Sequence, residues 1–398
     1  MRVAILGGGV TGLFSAYYLR KDSHEVTVIE RDSAVREASV YNAGLITPSF
    51  APTPQLGLGM LLSSTIMRRG ALYFSLGQVL RDPSWYWTSL RKGLTGFEEK
   101  TIIFGNASLE LYREFFKAEN LDPDIVPGVL GLYAKAEDAK NFAEKFGGKF
   151  VGKNEIDQLG LQGLDGGVEL AGEFSINPRK LVAQLSDRVS KMGVQMVKGK
   201  EARLEKDASS PGKAVALIDG QRVDCDKVVV TAGSWTRPLC SQLHYDAKIL
   251  PASGLAMIFD TGGKTLVKRP LLLEDYGIAI AQHNESMLRV TSFFEMVGFK
   301  KEYGVARRKW LFDVTRRHVL DLSALKVIDE GIGFRPCTPD QFPLVGEIPG
   351  YDNAFVASGN CRLGVTLAPA TAFMIKSMLN GQNYLEGLRS SLSPSRFS

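Results

Sequence analysis

Near its start the 398-residue chain carries GGGVTG, in which Gly7, Gly9 and Gly12 follow the spacing G-x-G-x-x-G. Alone that spacing is weak, but here it directly follows the apolar run VAIL and opens a helical stretch. Gly7 permits a tight turn and Gly9 lets the backbone approach a pyrophosphate. Gly12 allows helix and strand to pack closely, so that phosphate charge meets a helix N-terminus. Glu30 stands eighteen positions after Gly12 (30 − 12), where a carboxylate can accept hydrogen bonds from ribose hydroxyls. The set reads as a dinucleotide site, with a purely structural glycine turn as the alternative. Far along the chain, GFRPCTPD (333–340) sets Arg335 in an apolar run between Phe334 and Pro336. Taken by itself, Arg335 reads first as a surface arginine whose stem covers apolar neighbours.

These residues need elements to hold them. Residues 3–6, a glycine turn, residues 12–20 and EVTVIE at 25–30 read as strand, turn, helix and strand. A βαβ unit of this length implies a parallel sheet with its ligand site at the carboxyl ends of the strands. KVVVTAG (227–233) and NAFVAS (353–358) read as further central strands, each ending in a glycine turn. LVAQLSDRVSKM, from Leu181 to Met192, has helical spacing behind the helix-start residue Pro178, and a last helix is expected from about Val365 to Leu379. Residues 81–173 and 243–329 instead carry alternating, aromatic-rich runs such as GVLGLYA, GIAIAQH and MLRVTSFFEM, the pattern of an antiparallel sheet with one face covered. The fold class expected is α/β (α+β overall), a Rossmann-type dinucleotide-binding domain with a discontinuous antiparallel-sheet substrate domain. Residues 1–80, 174–242 and 330–398 would form the first and 81–173 and 243–329 the second, so the chain crosses between them more than once.

Composition narrows the function classes. With 44% hydrophobic and 23% charged residues, the chain is ordinary globular material with enough for a sizeable core. Its 48 basic residues nearly balance 43 acidic ones, and the resulting +5 is no nucleic-acid footprint. Cys225, Cys240, Cys337 and Cys361 are widely spaced without a CxxC pair, so neither a zinc site nor a disulfide framework is expected, and reduced thiols in the cytoplasm fit best. The apolar start is read as part of the fold, because its glycines and polar interruptions do not suit a signal peptide. No stretch reaches the ~18 uninterrupted apolar residues that a spanning helix needs. The acid-free segment 56–76, with Arg68 and Arg69, has two readings, peripheral membrane contact or a packed helix pair under the cofactor. RRKWLFDVTRRH at 307–318 reads as a solvated helix face, with attraction to an acidic membrane or partner as the alternative. His283 and His318 have no metal-like partners nearby and default to solvated or satisfied histidines, so no metal is expected.

The choice between FAD and NAD rests on layout. A dinucleotide motif at residue 7, REASVYNAGLITP at 36–48 and a late TAGSW at 231–235 form a flavoprotein order in which Ser39, Asn42, Ala43 and Gly44 can line the pyrophosphate and ring. A simple asparagine turn is the other reading of NAG. Together VAILGGGVTGLFSAYYL, NAGLITP, NPRKL, VVVTAGSW, GFRPCTPDQFPLVG and GNCRLGVTLAPATA resemble the FAD-dependent D-amino acid oxidase superfamily over nearly the whole chain. NAGLITP is similar to D-amino acid dehydrogenases, dye-linked D-proline dehydrogenase-like enzymes included, and CRLGVTLAPATA to glycine oxidase-like enzymes. The resemblance implies noncovalent FAD, since Cys337 does not stand where a sarcosine-oxidase-type link would place its cysteine. It implies that Arg335, in the family's G-[FL]-R-P context, binds the substrate carboxylate. The physics agrees, because a planar guanidinium can grip a carboxylate with two parallel hydrogen bonds on a backbone stiffened by Pro336. Gly359, Leu363, Gly364, Val365 and Thr366 would neighbour the flavin, where a helix N-terminus stabilises negative charge on the reduced ring. Val10, Thr11, Arg31, Leu45, Ala232, Gly233 and Trp235 complete the expected cofactor set. Arg362 has two equal readings, a second carboxylate contact or a partner for a local acid. A phenol that closes over the substrate is common in this superfamily. Tyr276 is the candidate and Tyr133 its rival, while a core or surface role fits either.

The reaction implied is dehydrogenation of a small D-amino acid, with D-proline or another secondary amino acid in range. Hydride would leave Cα for flavin N5, a step that needs orientation and a dry pocket rather than a side-chain base. Electrons would pass to a quinone- or dye-like acceptor. One competing reading is an oxygen-using glycine- or sarcosine-type amine oxidase. Another, of a different class, is a flavin-containing electron-transfer or scaffold subunit of a larger complex, with the 56–76 segment facing a partner subunit or a second copy.

Overall fold

The computed structural model describes residues 1–35, 37–50, 64, 70–91 and 97–397. Most of the 56–76 segment, Arg68 and Arg69 included, lies outside the described residues.

A six-stranded sheet runs in the order Leu344–Glu347, Ala354–Ser358, Lys227–Val230, Arg2–Leu6, Glu25–Glu30, Gln195–Lys198. All neighbours pair in parallel except the edge strand Leu344–Glu347. Layers cover both faces, which is why its central strands are continuous apolar runs rather than alternating ones. The helices Val10–Lys21, Pro178–Lys191 and Gly364–Leu379 close one face around Phe14, Leu185 and Leu367. A small three-stranded sheet with Leu204 and Ala216 closes the other. Local chemistry sets the helix limits. Asn177 caps the Pro178 helix by accepting from Lys180 N. Pro369, inside the last long helix, offers no N–H to Val365 four residues back, and the Tyr112 hydroxyl donates to that carbonyl at 2.8 Å instead.

A larger, ten-stranded sheet holds the alternating sequences. Its centre is antiparallel, with Leu250–Asp260 between Met287–Met296 and Lys326–Cys337. Two pairings depart from the antiparallel expectation: Leu271–Leu273 runs parallel to Val126–Tyr133, and Leu72–Phe74 parallel to Met287–Met296. Parallel neighbours need long crossovers. Here the chain leaves the large sheet after Ser175, builds five strands of the six-stranded and small sheets, and returns at Leu250.

Two expectations are corrected and a third is narrowed. Cys337 and Cys361 are not reduced thiols but a disulfide. They lie 24 positions apart, and the hairpin Leu344–Glu347/Ala354–Ser358 folds the GNC turn back onto the end of the Lys326–Cys337 strand, a proximity that spacing rules cannot see. The helix Val305–His318 is not merely a solvated face. Arg307 is buried, pairs with Glu295, and donates to Gly70 O at 2.6 Å, while Arg308 and Lys309 meet acids nearer the surface. Of the two readings for the histidines, solvation is excluded, since both are buried: His318 is satisfied at Nδ1, 2.7 Å from Gln162 O, and burial beside the Arg289 charge pushes His283 down to about 3. Among the described residues no helix is long and apolar enough to cross a membrane.

Candidate cofactor and substrate site

At the carboxyl end of Arg2–Leu6 the chain turns through Gly7, at φ +118°, into the helix Val10–Lys21. A Cβ on Gly12 would overlap Gly7 O, and one on Gly9 would come 3.0 Å from Ser39 Oγ. The first turn of this helix carries no acid, so its positive end is not already neutralised. Glu30 is tied into the turn, accepting from Gly8 N at 2.7 Å and Asp32 N at 2.9 Å. Arg31 lies 4.3 Å from the Trp235 ring, which also stacks on Phe299.

The loop that follows is held from both sheets. Ser39 Oγ accepts from Val10 N, and Asn42 closes a turn on itself by donating to Ala38 O and accepting from Gly44 N at 2.8 Å. Thr366, in the first turn of Gly364–Leu379, donates to Leu45 O at 3.0 Å. From the larger sheet, the buried Arg289 donates to Val40 O and Asn42 O at 3.1 and 3.2 Å. Arg289 was not expected from the sequence, where an arginine in MLRVTSFF looks like the polar half of an alternating strand.

Arg335 stands opposite Ala252 in the Lys326–Cys337 strand, and beside it Pro336 faces Pro251, two residues with no N–H to leave unpaired. Its guanidinium lies over Gly254, where any Cβ would overlap it. Arg335 Nη1 donates to Phe293 O at 2.8 Å. Phe293 sits at φ +70° where the pairing of Leu250–Asp260 with Met287–Met296 shifts register, a bulge that turns this carbonyl toward Arg335. Behind it, the Phe293 ring stacks on Tyr303 at 4.9 Å and meets the Arg307 guanidinium at 4.4 Å. Burial lowers Arg335 to about 10, Tyr303 opposing and Arg362 adding to the fall. Gly254, Phe293 and this backing are further residues missed in the sequence. Their only signal is a glycine opposite a glycine, legible once the strand pairing is known.

One continuous cavity of about 760 Å³ joins these parts. Every site residue expected from the sequence lines it except Gly12, which lies behind the loop. Arg335, Arg362, Glu274 and Tyr276 share it with Gly9, Glu30, Asn42 and the first turn of Gly364–Leu379. Tyr133 does not line it, and the Tyr276 ring packs on His318 at 4.7 Å. Burial lowers Arg362 below its usual range while Glu274 raises it.

The family model described as FAD dependent oxidoreductase matches residues 2–378. The chain belongs to this family, the FAD-dependent D-amino acid oxidase superfamily. Its cofactor is therefore FAD, and the residues present fit it: a Cβ-free approach at Gly9, an unneutralised helix end, a carboxylate at Glu30, and a cavity running on to Arg335. Solved structures share the fold across both chains. Iminodiacetate oxidase from Chelativorans sp. BNC1 superposes at TM-score 0.79 with 18% identity, covering 99% of each chain. Glycine oxidase from Geobacillus kaustophilus gives 0.74 with 20% identity and 99% of each. L-proline dehydrogenase from P. horikoshii gives 0.75 with 15% identity, covering 100% of this chain and 97% of that one.

Proposed function

We propose that this protein is an FAD-dependent dehydrogenase of small D-amino acids, D-proline or another secondary amino acid included, that passes electrons to a quinone- or dye-like acceptor. The observation that carries this reading is Arg335: a desolvated guanidinium on the cavity wall, anchored through Nη1 to Phe293 O, with its remaining N–H donors available to a carboxylate. Bound FAD supplies hydride acceptance from the substrate Cα. The chain supplies the rest. Gly7 to Gly12 and the adjoining helix end receive the pyrophosphate, Glu30 the ribose, and the 39–45 loop with the first turn of Gly364–Leu379 the ring. Arg335 fixes the carboxylate and hence the direction of Cα–H, while the Phe293 and Phe334 side chains limit water around it. Tyr276 and Arg362 border the same end of the cavity.

In this reading residues 1–80, 174–242 and 330–398 carry the cofactor, and 81–173 and 243–329 cover the substrate. The Lys326–Cys337 strand crosses the boundary at 330 and delivers Arg335 from the larger sheet. A second reading, an oxygen-using amine oxidase, draws support from the likeness to iminodiacetate oxidase and glycine oxidase structures. The test is anaerobic bleaching of the flavin against paired D- and L-amino acids, proline included, followed by peroxide yield against dye reduction. Bleaching by D-amino acids with dye reduction and little peroxide is expected. No bleaching by any amino acid overturns the amino-acid reading, and stoichiometric peroxide moves the protein to the oxidases.

A further inference from the structure

Arg335 accounts for one end of an amino acid, and the other end is a cation. An acid faces the same cavity. Glu274 opens the short turn Glu274–Tyr276, and its carboxylate reaches the cavity wall between Leu272 and Tyr276. Among the described residues it has no hydrogen-bond donor and no ion pair in contact, while its neighbour Asp275 is engaged by Ala134 N at 2.7 Å. A carboxylate held out of water without donors is costly unless something pairs with it. The turn is tied to the strand that anchors Arg335. Gly277 ends it in the left-handed region at φ +57°, and Ser292 Oγ donates to Gly277 O at 3.1 Å. The next residue along that strand is Phe293, whose carbonyl anchors Arg335. The Glu274 turn and Arg335 are thus tied to adjacent residues of one strand, and both line one cavity.

We propose that Glu274 receives the cationic amino group of the substrate, so that Arg335 and Glu274 together select a zwitterion rather than a simple carboxylic acid. This assignment rests on the amino-acid reading above. It gives Glu274 a role in orientation: a substrate pinned at carboxylate and ammonium has its Cα substituents fixed, whereas a single salt bridge leaves it free to swing. Burial raises Glu274 to about 7, while the charge of Arg362, which lines the same cavity, favours the ionised carboxylate. Asp275 beside it acts in the same direction as burial. The Tyr133 phenol is raised by burial and stays neutral. Zwitterion binding should therefore weaken as pH falls through about 7, while the α-ammonium itself stays charged.

The experiment is anaerobic titration of the flavin absorbance of holoprotein with two kinds of ligand, acetate, which carries only the carboxylate, and D-alanine and D-proline, which carry both charges. Glu274→Gln should weaken the amino acids ~10–100-fold, the loss of a charge-assisted hydrogen bond, leave acetate within ~3-fold, and abolish the pH limb near 7. Glu274→Asp should restore part of the affinity. Equal weakening of acetate and amino acids overturns the proposal, because Glu274 then only balances Arg362. So does an effect confined to D-lysine and D-arginine, which would assign Glu274 to a basic side chain. Failure of the wild-type flavin to respond to any amino acid, with acetate still bound, overturns the amino-acid reading itself and this assignment with it.

Discussion

The two ends of the cavity are built by different means. The end proposed for the pyrophosphate is backbone: Gly7, Gly9 and Gly12 lie within six residues of sequence, and Glu30 follows one helix and one strand later. The end proposed for the carboxylate is side chain on sheet, and its parts come from three strands: Arg335 from Lys326–Cys337, Gly254 from Leu250–Asp260 and the Phe293 carbonyl from Met287–Met296. The first end is pre-organised by local geometry and tolerates no side chain. The second is pre-organised by packing, so it should be adjustable in substrate affinity without loss of the cofactor.

The largest effect expected is at the first end. Gly9→Val puts two methyl groups where the pyrophosphate must approach, and FAD affinity should fall ~100-fold or more, read as the flavin-to-protein absorbance ratio after gel filtration. A fully flavinated variant breaks the distinction between the ends. Next comes Gly254→Ala, whose methyl overlaps the Arg335 guanidinium. KM for the amino acid should rise ~10-fold or more while flavin content stays at wild type, and loss of flavin here would show that the two ends are not separable.

Arg289→Met sharpens the comparison, because Arg289 is the larger sheet's hold on the cofactor loop. Removing it strands two carbonyls at a cost of about 1–3 kcal/mol, so the melting temperature should drop by a few degrees and FAD should bind ~10-fold more weakly. The smallest effect is Asn42→Ala, which opens one side-chain turn worth about 0.5–1.5 kcal/mol and should move the FAD Kd less than ~10-fold, measured by fluorescence titration.

The same contrast explains what the sequence makes legible. Gly7, Gly9, Gly12 and Glu30 are local, and the strand-turn-helix-strand unit forms where its pattern predicts it. Arg335 is marked by Phe334 and Pro336 on either side, but what holds it is not. Gly254 lies about eighty positions upstream, and Phe293 is one aromatic in an alternating run, with nothing local to announce a bulge. Arg307 and Arg289 share a misleading signal, since both sit where solvent-facing charges belong and both are buried against backbone or acid. The Cys337–Cys361 bridge is invisible for the same reason, its partners joined by a hairpin rather than by spacing.

The central claim is that one desolvated arginine reads the substrate carboxylate independently of the cofactor. It is tested most directly by Arg335→Met, with flavin content and the amino-acid concentration for half-maximal anaerobic bleaching measured on the same preparation. Full flavin content with that concentration raised ~100-fold or more is the expected result, as befits loss of a bidentate charged contact. An unchanged concentration would contradict the account.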